Sequence, residues 1–90
     1  MESSVITIAG DLTIYNSSEV KAGIMEEIGE MGSVTIDLQQ LGDIDVTGIQ
    51  LLLAARKSAE QTGRPFQLLN PTPVLLEKAA KIGIDPALFQ

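Results

Sequence analysis

The chain contains no cysteine, no histidine and no tryptophan. Without cysteine there is no disulfide, no thiol nucleophile and no thiolate metal ligand. Without histidine there is no imidazole to act as a general base or to bind zinc. The aromatic residues are Tyr15, Phe66 and Phe89, too few to form a platform on which nucleic-acid bases could stack. The longest apolar run is far too short to span a bilayer. Met1-Glu2-Ser3-Ser4 is polar and acidic, unlike a secretory signal. These absences point to a cytoplasmic protein with no membrane insertion and no bound metal or other cofactor.

Positive charge is also scarce in the first half. Residues 1–45 hold nine acids and one base, residues 46–90 three acids and five bases, and the net charge is −6. Nucleic acid and anionic membranes both require clustered Lys and Arg, so direct binding to either is not expected. An acidic surface serves solubility, and it also suits a basic protein partner. Ninety residues make one small domain spanning 1–90.

What is present is a regular alternation of patterns. Val5-Ile6-Thr7-Ile8-Ala9 is rich in β-branched residues and ends at Gly10-Asp11, a turn signal. Leu12-Thr13-Ile14-Tyr15 alternates weakly and could extend that strand past a bulge. Asn16-Ser17-Ser18-Glu19 starts a helix, with Asn or Ser as its cap and an acid in the first turn. Val20, Ile24, Met25, Ile28 and Met31 then follow at helical spacing, and the helix ends at Gly29 or Gly32. A second strand is Val34-Thr35-Ile36-Asp37-Leu38, from which Gln39-Gln40-Leu41-Gly42 leads out. A wide apolar stripe of Ile49, Leu51, Leu52, Leu53, Ala55 and Ala59 marks a largely covered helix, ended by Gly63 at C′. Phe66–Asn70 reads as the third strand. Thr72 and Pro73 open a third helix, with Val74, Leu75, Ala79 and Ile82 as its packing face and Gly83 as its end. Ile84–Phe89 forms a short tail. Strand and helix alternating at these lengths predict an α/β fold, a small, open, mainly parallel sheet with packed helices.

Polar chemistry concentrates at Asp43-Ile44-Asp45-Val46-Thr47-Gly48, beyond the carboxyl end of the second strand. Parallel α/β sheets tend to place functional loops at such a position. No phosphate loop or dinucleotide fingerprint is present, and Gly42, Gly48 and Gly63 are too scattered to imitate one. Neither Lys57 nor Lys78 is tied by spacing to Thr47 as a base. The chain therefore reads as non-catalytic. Asp37, Asp43 and Asp45 are oxygen donors of the type that can hold Mg²⁺ beside a phosphate, although solvated loop carboxylates explain them more simply. Thr47 has two readings. It is a capping or first-turn hydroxyl, with Asp45 the competing cap. Or it accepts a phosphate, whose added charge of about −1.5 to −2 a helix N-terminus would favour and Asp43 and Asp45 would oppose.

Gly10-Asp11-Leu12 after a β run, Val34–Leu38, and Asp45-Val46-Thr47-Gly48 before an apolar helix together resemble the STAS domain of bacterial anti-sigma factor antagonists, over roughly residues 4–83. That family's motif is Asp-x-Ser/Thr-Gly. The resemblance implies Thr47 as the phosphoacceptor, with Asp45, Val46 and Gly48 completing the motif. It implies a partner-binding face containing Asp11, Thr13, Asp43, Asp45 and Gln50. It implies a serine/threonine kinase that is itself the anti-sigma factor, or a protein of a signalling complex, as the partner. In that family the unmodified domain binds and phosphate releases it. The resemblance also covers proteins of chemotaxis-type clusters, and STAS subunits packed against the ATPase of a phospholipid transporter, where the motif serves binding alone. The acceptor here is Thr rather than the commoner Ser, and Val46 stands where a second hydroxyl residue is common. Family members commonly carry an additional strand at the N-terminus and a further strand and helix at the C-terminus. The family pattern thus implies uncovered sheet edges here, which favour a homodimer or docking into a larger complex.

Overall fold

The computed structural model describes residues 3–30 and 33–89. Its elements in chain order are β1 (Ser3–Thr7), β2 (Gly10–Leu12), α1 (Ser17–Glu30), β3 (Ser33–Asp37), β4 (Leu41–Ile44), α2 (Val46–Gln61), β5 (Phe66–Leu69) and α3 (Pro73–Lys81), closed by a 3-10 turn at Pro86–Phe89. The expected α/β architecture is the one observed. β1, β3 and β5 form a three-stranded parallel sheet in the order β1-β3-β5, with Ile6 opposite Ile36 and Ile36 opposite Leu68. β2 and β4 form a separate parallel pair.

The two sheets are connected by a shared bend. β1 and β3 each break just before β2 and β4 begin, and the neighbours stay bonded across the break. Ile8 N donates to Asp37 O at 3.2 Å, and Gly10 N donates to Gln40 O at 3.0 Å. Gly10 takes φ +85°, a left-handed conformation that glycine adopts without steric cost. The sequence pattern carries the first two strands through residues 9 and 38 and marks Gln39–Gly42 as a lead-out. The structure corrects both points. Ile8 and Leu38 are buried in the bend, and Leu41-Gly42-Asp43-Ile44 is a strand whose two outer residues face the core.

The core is apolar and continuous. Leu12, Ile36, Leu38, Ile44, Ile49, Leu52 and Leu75 are essentially inaccessible, and complete burial of such a side chain stabilises the fold by about 1.5–3 kcal/mol. The α2 stripe buries Ile49, Leu51, Leu52, Ala55 and Ala59 and leaves Leu53 half-buried. Gly63 at φ +71° follows the C-cap Thr62, as its C′ placement predicted. Helix α1 runs through Gly29 to Glu30, while Met31 and Gly32 lie outside the described residues. Helix α3 differs from its expected face. Leu75 and Ala79 are buried, but Val74 and Ile82 are exposed, because this nine-residue helix meets the body along one narrow line. The tail is anchored. Phe89 is fully buried, and Arg56 Nη1 donates to Leu88 O at 2.6 Å.

Candidate functional site

The two strands of the smaller sheet run parallel, so the loops that follow them emerge side by side. One is Thr13–Asn16, leading into α1. The other is Asp45 alone, leading into α2. Each residue expected to form a partner-binding face lies on β2, on β4, in one of these loops or in the first turns of α2.

Asp45 decides the local geometry. Its backbone is extended, with φ −112° and ψ −176°. One carboxylate oxygen accepts from Gly48 N at 3.0 Å and the other from Ile14 N at 3.0 Å. The first bond caps α2 and the second ties the neighbouring loop to it. Asp45 is therefore the cap, and Thr47 is a first-turn residue. Its half-buried hydroxyl makes no hydrogen bond among the described residues. The Gly48 N–H, followed by the Ile14 N–H, holds the Asp45 carboxyl below the usual carboxylate range.

Gly48 is fixed by packing. A Cβ at this position would collide with the Leu12 carbonyl oxygen and lie 2.7 Å from Ile44 Cγ1. The first turn of α2 therefore presses directly onto the ends of β2 and β4, and only glycine permits that approach.

The remaining polar residues form a second set of ties. Asp11 Oδ1 accepts from Asp43 N at 2.8 Å. Asp43 accepts from Ile44 N and from the ammonium of Lys78, which also donates to Ile44 O at 2.9 Å. That ammonium is the main reason the Asp43 carboxyl is lowered, with the Ile44 N–H second. Thr13 O accepts from Asn16 N and Ser17 N, and Thr13 Oγ1 accepts from Tyr15 N at 3.3 Å. Gln50 is exposed and shares a groove with Thr47. Asp37 stands apart from these residues. Its carboxylate accepts from Gln39 N and Asn70 Nδ2, and the Gln39 N–H leads in lowering it. The three aspartates weighed as a Mg²⁺ set thus have separate partners. Among the described residues no group of three acidic side chains gathers to hold a metal.

Sequence reasoning missed two features. Ile14 and Tyr15, read as a possible strand extension, form a protruding loop and are 65% and 96% exposed. Asn16 was the available signal, because its side chain bonds back to Thr13 N and Asp11 O and makes the turn. Lys78 could not have been found, since 35 residues separate it from Asp43. Val46 in the motif is also exposed, at 47%. Among the described residues no helix is long and apolar enough to cross a membrane.

Known structures share this fold. The unphosphorylated form of the anti-sigma factor antagonist SpoIIAA superposes with a TM-score of 0.69 at 26% identity, covering 89% of this chain and 74% of that one. The phosphorylated form of SpoIIAA, a Bacillus cell fate determinant, gives 0.70 at 25% identity, covering 91% and 76%. A sulfate transporter family protein from Wolinella succinogenes gives 0.73 at 21% identity, covering 94% and 70%, and shares the fold. No curated protein matches the chain significantly. The family model described as "Mlab, STAS domain" matches residues 1–89, and the chain belongs to that STAS-domain family.

Proposed function

We propose that residues 1–90 act as one non-catalytic regulatory domain that binds a protein partner through the carboxyl-end face of β2 and β4, and that phosphorylation of Thr47 switches this binding. The observation that carries the reading is the placement of the Thr47 hydroxyl. It sits in the first turn of α2, unbonded among the described residues, because Asp45 has taken the capping role. The surrounding surface suits a protein partner. Ile14, Tyr15 and Val46 supply exposed apolar contacts beside Asp11, Asp43 and Asp45, which favours an apolar recess with a basic rim. In the modification, Thr47 Oγ1 attacks the terminal phosphorus of ATP held by the kinase. ADP leaves, and a base of the kinase takes the hydroxyl proton. The added charge then stands at the centre of the contact surface and repels a partner that had closed over it. The unphosphorylated and phosphorylated forms of SpoIIAA resemble this chain equally, with TM-scores of 0.69 and 0.70. That supports a switch acting through surface charge without refolding.

The test is incubation with the cognate kinase and ATP followed by mass spectrometry. Phosphate is expected on Thr47, with Thr47→Glu weakening partner binding and Thr47→Ala binding constitutively. Equal partner affinity for unmodified, Ala and phosphorylated protein sinks the switch.

The match to the "Mlab, STAS domain" model favours a second reading. The same face would pack permanently against the ATPase of a phospholipid transporter, with Thr47 serving contact alone. Copurification with an ATPase subunit that survives Thr47→Glu selects this reading over the switch.

A further inference from the structure

Between α1 and α2 runs an open groove of about 340 Å³. Ser17, Ser18 and Lys21 border it from α1, and Thr47 and Gln50 from α2. Three observations on the α1 side belong together. Ser17 is the one buried polar residue among those described, 8% exposed, and its hydroxyl makes no hydrogen bond among them. Among the described residues no side-chain oxygen or nitrogen sealed from solvent is left without a partner, so this hydroxyl is open to solvent, and the space Ser17 borders is the groove. The amino end of α1 is uncapped. Ser17 N is bonded to Thr13 O and Val20 N to Asn16 O, but Ser18 N and Glu19 N have no partner among the described residues. The Asn16 side chain, which could have capped them, turns back to Thr13 N and Asp11 O. Lys21, the only base in residues 1–45, forms no ion pair among the described residues.

A serine hydroxyl open to the groove, a free helix N–H and an unpaired ammonium, on three residues that border one space, form a receptor for an oxyanion. Thr47 borders that same space. The two carboxylates expected to repel a phosphate there, Asp43 and Asp45, lie outside the groove lining, and Asp43 is paired with Lys78. Asp45 borders a different recess, with Val46 and Ile82, and is held by Gly48 N and Ile14 N. Glu19, the acid in the first turn of α1, lies outside the groove lining.

We propose that the α1–α2 groove receives the phosphoryl group of modified Thr47, held by the Ser17 hydroxyl, the Ser18 N–H and the Lys21 ammonium. The proposal rests on Thr47 as phosphoacceptor and adds a function for α1. The phosphate is stored against the domain, shielded from phosphatases, and Lys21 sets how long the released state lasts.

The test installs phosphothreonine at position 47 during translation and follows the phosphate by ³¹P NMR as pH is varied. In the folded protein its second ionisation, ordinarily near pH 6, is expected to fall by about half a unit relative to the same protein in urea. The Ser18 amide proton should titrate with it. Lys21→Met, on an exposed side chain, should remove most of the shift and speed release of phosphate by a broad-specificity phosphatase. Ser17→Ala should remove a smaller part. A folded-state ionisation equal to that in urea and indifferent to Lys21→Met shows a phosphate in open solvent and overturns the groove. Because no kinase is involved, a kinase that ignores Thr47 defeats the phosphoacceptor reading by itself and leaves this result distinguishable.

Discussion

The amino ends of α1 and α2 stand side by side at the same end of the molecule and are built in opposite ways. At α2 the geometry is over-determined. Asp45 caps Gly48 N, Gly48 is pressed against Leu12 and Ile44, and Lys78 reaches across from α3 to Asp43 and Ile44. At α1 little is fixed from outside. The Asn16 side chain turns away, the Ser18 and Glu19 N–H groups are left free among the described residues, and Ile14 and Tyr15 project into solvent. The difference separates two jobs. A rigid turn holds the motif hydroxyl at a defined point, and the less committed neighbour supplies surface and donors to whatever arrives there.

The largest effect tests the floor beneath the locked end. Leu52→Ala, at a residue 1% exposed, should cost about 2–5 kcal/mol in chemical denaturation. Leu53→Ala, only half-buried, should cost clearly less. Equal losses would mean that the packing face of α2 is misassigned.

The locked end itself is broken by Gly48→Ala, expected to cost about 1–3 kcal/mol because the new Cβ meets backbone and core. Gly42→Ala is its control. There the one clash is with the Asp11 carboxylate, an exposed side chain that can swing aside by giving up its bond from Asp43 N, so a smaller loss is expected in the same denaturation series.

Acid separates the two ends by charge. Asp43 and Asp45 have lowered pKa values in the fold, Asp43 chiefly through Lys78 and Asp45 chiefly through Gly48 N–H. The unfolded chain therefore binds protons first as pH drops. The stability from these groups is complete above the unfolded value, about 3.9, and is lost as pH falls through the folded values. Melting temperature should be flat above about pH 5 and fall below it. Lys78→Met should flatten part of that fall, and an unchanged acid limb would remove Lys78 from the account.

The smallest effect on stability belongs to the open end. Tyr15→Ala should change unfolding free energy by no more than about 0.5 kcal/mol, since the side chain is 96% exposed. The same substitution should lower affinity for the partner, measured by calorimetry. A stability loss like that of Gly48→Ala would show that the loop is structural and erase the contrast.

Much of the fold was legible in the chain. The β-branched runs, the wide stripe on α2, Thr72 with Pro73, and Gly63 carry local signals that burial and capping make physical. Thr72 Oγ1 accepts from Leu75 N at 3.3 Å, as its cap role required. β4 was not legible, because Leu41-Gly42-Asp43-Ile44 is short and carries a glycine and an aspartate that disfavour strands in isolation. Its pairing with β2 through Leu12 and Ile44 overrides those preferences. The exposure of Val74 and Ile82 was hidden for a related reason. Helical spacing reveals an apolar face but not how much of it a neighbour covers.

By itself the sequence determined the α/β alternation, the helix starts and stops, the absence of thiol and imidazole chemistry, and the place of Asp45-Val46-Thr47-Gly48 ahead of an apolar helix. These depend on residues within a few positions of one another, where periodicity and capping act. Only the tertiary structure decided that Asp45 and not Thr47 is the cap bound to the neighbouring loop, that Lys78 holds Asp43, and that Thr47 borders a groove shared with Ser17 and Lys21. Those outcomes join residues about 30 positions apart. They exist because β2 and β4 run parallel and deliver two helix starts to one end of the sheet.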